Sequence, residues 1–199
     1  MTRLEAVRKI LTRCGFGDVQ SLDTGGASMA SYAERHLDLV IVEVQTEGWH
    51  FNTLARVTAE PDGSDHIEAP SGTILMDTDG EDAHRDVAQV GGRLYDKDEN
   101  TDEFTSSVST EQVLNRSFGC IPFPIQNYIV ARAALGFVVV HKPMERMLIR
   151  SVEADLAKAK VEANRYEVRQ SDVNLLKTPW MQRAVGRAST HGLGGRYRP

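Results

Sequence analysis

The chain has 199 residues, 41% of them apolar, and a formal net charge of −5. That content buries one sizeable core, or a helical core with a smaller β appendage. Met1-Thr2-Arg3-Leu4-Glu5 leads straight into an amphipathic segment, with Glu5 where the apolar part of a secretion signal would begin. The longest apolar stretches, residues 37–44 and 133–140, fall short of the roughly twenty residues a membrane span needs, so a soluble, non-secreted protein is expected.

Thr2 and Glu5 form a Thr-x-x-Glu capping box, and Leu4, Val7, Ile10, Leu11 and Cys14 follow as one helical stripe, ended by Gly15 and Gly17. Residues 19–26 read as a linker with two adjacent glycines. A second helix is predicted from Ser28 to Gly48, with Ala33, Leu37, Val40 and Val44 on one face and Gly48 as its stop. Trp49 and Phe51 then occupy alternate positions, so an extended chain leaving the helix points both rings the same way, into a structural junction. Residues 54–59 read as a strand closed by the turn Pro61-Asp62-Gly63, and residues 73–76, 93–95 and 108–113 are further short strands.

Helices return after Pro122-Phe123-Pro124, where a proline in the first turn lacks only an N–H that had no intrahelical partner. The third helix covers residues 125–139, with its end blurred by β-branched residues, and Lys142-Pro143 breaks it. The last, residues 145–170, carries a seam of Ile149, Val152, Leu156, Ala159, Ala163 and Tyr166 at alternating spacings of three and four. The small residues admit another helix closely, either the first helices of the same chain or a neighbouring copy. The fold class is therefore α+β: a mainly α-helical bundle with an inserted small β-rich domain. Residues 1–51 are the N-terminal helices, 52–116 the β-rich insertion, 117–176 the C-terminal helices and 177–199 a basic tail.

Signs of catalytic or metal chemistry are sparse. The acidic run Asp77-Thr78-Asp79-Gly80-Glu81-Asp82 departs from a calcium loop, since glycine falls at its fourth position and Ala88 at its twelfth, and it reads as a solvated turn. The six histidines are dispersed; His84 and Asp86 are near each other but lack a nucleophile in the right context. Gly192-x-Gly194-Gly195 lacks the flanking elements of a phosphate loop. Cys14 and Cys120 lie far apart and are expected as reduced, buried thiols. No metal, no cofactor and no enzymatic activity are expected.

Charge is unevenly placed. Beyond Asp172 there are five basic residues, Lys177, Arg183, Arg187, Arg196 and Arg198, and no acidic one, so the remainder of a chain of net −5 carries near −10. The tail suits an acidic partner such as another protein or packaged DNA. Its Trp180 and Tyr197 give some aromatic interleaving.

The helix running into Gly48-Trp49-x-Phe51-Asn52 is followed by Arg93-Leu94-Tyr95-Asp96, Asn100-Thr101-x-x-Phe104 and Tyr128-Ile129-Val130-Ala131-Arg132-Ala133-Ala134. In this order and spacing they make a chain that resembles the tail tubular protein A family, the head–tail adaptors of short-tailed bacteriophages. The resemblance implies a structural virion protein of the tail, assembled in the host cytoplasm as a homododecameric ring. That ring sits beneath the portal protein and continues the DNA channel without sequence-specific binding or any membrane. It offers a platform for the nozzle protein (tail tubular protein B) and the tail fibres. Such adaptors engage the portal through their C-terminal parts, which here selects Trp180, Met181, Arg183 and Arg187 as inserted contacts, with Arg196 and Arg198 as salt-sensitive ones. Two other readings are a virion-associated hydrolase acting on cell-envelope polysaccharide, for which no catalytic residue can be matched, and a small DNA-binding factor reliant on the tail arginines.

Overall fold

Reciprocal capping starts α1 (Arg3–Arg13): the Glu5 N–H donates to Thr2 Oγ1 at 3.2 Å, and the Thr2 N–H donates to the Glu5 carboxylate at 2.7 Å. Ser28 and Ser31 perform the same exchange for α2 (Met29–Gln45). These helices belong to a computed structural model that describes residues 1–17 and 28–170. The 19–26 linker lies outside the described residues.

The chain then runs through β1 (Thr53–Ala59), β2 (Thr73–Thr78), β3 (Val87–Val90), β4 (Arg93–Asp96) and β5 (Val108–Leu114) before returning to α3 (Phe123–His141) and α4 (Arg146–Gln170). The fold is mixed α+β, with four helices and five strands in two small antiparallel sheets among the described residues. β5 is the central strand of the larger sheet, ordered β1-β5-β2. β3 and β4 form a hairpin closed by Gly91 and Gly92, both at positive φ (60° and 84°), as a two-residue type I′ turn requires.

α3 is apolar around its whole circumference because α1, α2 and α4 all pack on it. Its Ile125, Ile129, Ala133 and Phe137 join Ile10 and Leu11 of α1, Leu37 and Val44 of α2, and Val152 and Ala163 of α4 in one buried cluster. The strands cover a second, smaller cluster of Ile67, Met76, Val87, Leu94, Phe104 and Val108.

Several expectations need correction. The chain does not leave α2 in extended form: Trp49 to Asn52 is a turn, in which the Trp49 carbonyl accepts from the N–H of both Asn52 and Thr53 at 3.0 Å. In the 61–66 turn the left-handed residue is Asp65 (φ 62°), not Gly63, and the Asp62 carboxylate gathers the Ser64 and His66 N–H groups. The acidic run is not merely solvated. Asp79 caps a single turn of 3₁₀ helix, and Asp82 accepts the Ser109 N–H at 2.8 Å, tying the loop to β5. α3 persists through its β-branched end to His141, and its 19 residues are long and apolar enough to cross a membrane. More than half of that stretch is buried in the core, the signature of a central helix.

Candidate assembly surfaces

Two buried amides hold the joint between α2 and the strands. Asn52 is fully buried; its Oδ1 accepts the Trp49 N–H at 2.9 Å, and its Nδ2 donates to the Gln45 and Leu114 carbonyls, each at 3.0 Å. Gln45, equally buried, donates from Nε2 to Asn115 Oδ1 at 2.9 Å and accepts the Arg116 N–H at 2.7 Å. The chain entering the strands and the chain leaving them are thus clamped to the last turn of α2. A buried amide left unpaired is costly, so such a network fixes one geometry.

Trp49 and Phe51 sit beside this clamp. Trp49 is 5% exposed, its ring tilted against Tyr128 with centroids 6.1 Å apart, and its Nε1–H donates to the Val44 carbonyl at 2.7 Å. Phe51 is half-buried against the same helical cluster. The joint is braced twice more. Glu167 of α4 accepts the His50 N–H at 2.7 Å, and Arg132 of α3 pairs with Glu47 at 2.8 Å and Glu43 at 3.1 Å. Gln45 was not singled out from sequence, and Asn52 only as the last residue of the Gly48-Trp49-x-Phe51-Asn52 motif, with no structural role given to it. The available signal was a polar residue at 45, in phase with the apolar face that carries Leu37, Ile41 and Val44.

The α4 seam faces inward. Val152, Ala159 and Ala163 are buried, and Leu156 and Tyr166 half-buried, against the helical cluster where α4 packs on α3. The helix it meets is therefore α3 of its own chain, which neither sequence alternative named. α4 runs antiparallel to α3, since Arg165, Tyr166 and Arg169 line a groove with Phe123, Pro124 and Asn127.

Solvent-facing apolar residues were also missed. Val139 and Val140 at the end of α3, Met144 in the turn that follows and Met147 in the first turn of α4 are exposed, Met144 by 91%. Leu39 and Val42 stand on the outer face of α2. The portal-contact candidates Trp180, Met181, Arg183, Arg187, Arg196 and Arg198 lie outside the described residues.

Burial pushes the Cys14 thiol up to about 11, leaving it protonated, and its Sγ lies 3.4 Å from the Ala134 carbonyl. Cys120 is exposed, against the expectation of two buried thiols, because it lies in a short 3₁₀ turn ahead of α3. His84 Nδ1 sits 3.0 Å from the Glu81 carbonyl, within its own turn. Among the described residues no three His, Cys, Asp or Glu side chains converge to hold a metal ion.

The family model for tail tubular proteins matches residues 4–173, from the first turn of α1 past the end of α4. The chain belongs to the tail tubular protein family. No curated protein matches it. As a tail tubular protein it is a structural component of the bacteriophage virion tail. The clamp, the seam and every described strand fall inside the match, whereas the basic segment after residue 173 lies beyond it.

Proposed function

We propose that this tail tubular protein is the head-to-tail adaptor: a homododecameric ring that joins the portal to the tail nozzle and continues the DNA channel. The family match across helices and strands together carries the reading, because it takes in the whole described fold. The exposed apolar residues on α2, α3 and α4 support it, since a ring needs two complementary faces on each subunit. So does charge. Apart from the tail the chain is strongly acidic, and an acidic channel wall gains nothing from counterion release, so DNA slides past it.

In this reading residues 1–51 and 117–176 make the helical bundle of the ring, and residues 52–116 protrude from it toward nozzle and fibres. Residues 177–199 dock on the portal, with Trp180, Met181, Arg183 and Arg187 inserted and Arg196 and Arg198 adding contacts that weaken with salt. Deleting residues 178–199 should leave the helical circular dichroism unchanged and abolish binding to portal-bearing heads. Undiminished binding would move the portal contact to the helical body.

A further inference from the structure

α2 and α4 each pack on α3 and not extensively on each other, so their outer faces form two separate flanks of the molecule. Each flank carries exposed apolar side chains. On α4, Met147, Ala154 and Val161 recur every seven residues, offset from the buried seam, and Val168 repeats the spacing. Met147 is 79% and Val161 49% exposed, and Ala154 and the interleaved Ala157 are exposed as well. Burial within the chain is met by the other face of this helix. A repeat of seven is the spacing that keeps one stripe against a partner helix over its length. On α2, Leu39 is 64% and Val42 44% exposed.

The charges nearest the two stripes are mainly opposite, with the exposed Arg35 one turn before Leu39 and Asp155 and Glu162 one turn either side of Lys158 as the like-charged exceptions. Lys158 and Arg165 follow Ala154 and Val161 at four residues along one edge of the α4 stripe. Asp38 and Glu43 bracket Leu39 and Val42; their side chains remain 53% and 56% exposed while pairing with Arg3 and Arg132. We propose that the outer face of α4 in one copy of this chain docks on the outer face of α2 in the next copy. Met147, Ala154 and Val161 cover Leu39 and Val42, and Lys158 and Arg165 lie along Asp38 and Glu43. The contact is head-to-tail, so it repeats around a ring. Pairing α4 with α4 would instead stop at a dimer, and in an antiparallel pair would set the Lys158 and Arg165 edges against each other. This inference rests on the adaptor-ring reading and assigns its subunit interface.

The test uses phage particles in which this tail protein carries Leu39→Cys and Val161→Cys, with Cys120→Ser to remove the exposed native thiol. After oxidation, a non-reducing gel should show a ladder of covalent multimers, and neither single cysteine variant should cross-link. Dimers from Val161→Cys alone would show α4–α4 pairing and overturn the proposal. So would the absence of a ladder from particles whose ring is intact by electron cryo-microscopy, a result that leaves the adaptor reading standing. Particles with no ring of this chain would overturn both. Slow maleimide labelling of the purified Val161→Cys monomer at its new thiol would mean that the chain covers its own stripe, and would also overturn the docking. If the cysteine particles do not assemble, Leu39→Glu and Val161→Lys provide the second test. Each alone should lower the yield of ring-bearing particles by about tenfold, and the pair together should recover most of it. Failure of that recovery counts against the interface.

Discussion

Asn52→Ala removes the amide that joins α2 to the strands while leaving the apolar clusters untouched. It strips a partner from three groups: the Trp49 N–H and the Gln45 and Leu114 carbonyls. A buried polar group left unpaired costs about 1–3 kcal/mol, and the Gln45 carbonyl keeps the Gly48 N–H at 3.2 Å, so the other two groups bound the sum at roughly 6 kcal/mol. The vacated volume approaches that of one water, about 30 Å³, and a water there recovers part of the bonding. The expected loss is therefore about 3–5 kcal/mol. Asn52→Asp separates the contributions. It keeps the acceptor for Trp49 but turns a carboxylate oxygen toward two carbonyl oxygens, so it should destabilise at neutral pH and recover partly in acid, where a protonated oxygen again donates. Urea unfolding followed by circular dichroism and by tryptophan fluorescence measures both, with coincident transitions licensing one free energy. A loss below about 1 kcal/mol at unchanged denaturant slope would refute the clamp.

Trp49→Ala should cost roughly 3–5 kcal/mol in the same assay, as for other buried aromatic truncations. Trp49→Phe, which keeps a ring and forfeits the bond to Val44, should cost distinctly less. Ala163→Leu, at a fully buried position of the α4 seam, should overfill the contact with α3 and lower stability by about 1–3 kcal/mol, with Ala159→Leu less severe; unchanged melting temperatures would mean that the seam is loosely packed. Burial, then the neighbouring His141, holds the His36 imidazole below its usual pKa of 6.5. The unfolded chain therefore takes up this proton first, and the stability present above 6.5 is lost as pH falls through that value toward the folded one. His36→Gln should flatten the fall in melting temperature on acidification, and an unaltered slope would remove His36 from the account.

The helices were legible because α1, α2 and α4 carry a period, and α3, apolar all round, is marked by the prolines at its two ends. Thr2 and Ser28 cap, Gly15 and Gly48 stop, Pro122 starts and Pro143 breaks, and the observed bounds follow these residues. β3 escaped notice because Val87-Ala88-Gln89-Val90 does not alternate apolar with polar, although Gly91-Gly92 before Arg93 was a readable hairpin signal. The turn at Trp49 escaped for a tertiary reason. Alternating rings suggest extension, but the Asn52 side chain curls the backbone to reach Trp49 and Leu114, a partner 62 residues away. The α4 seam was visible as a stripe, yet its partner was not, since the period gives a face and not what lies against it. The clamp was the least legible part: Gln45 and Asn52 are ordinary polar residues until the fold brings Asn115 and Arg116 to them.

The adaptor assignment is tested most directly by an electron cryo-microscopy reconstruction of the tail at the portal vertex. The account predicts a closed dodecameric ring of this chain between portal and nozzle, with α1–α4 resolved in each subunit and the C-terminal segment running onto the portal. Density for the chain elsewhere in the tail, as isolated copies or within a fibre, would contradict it.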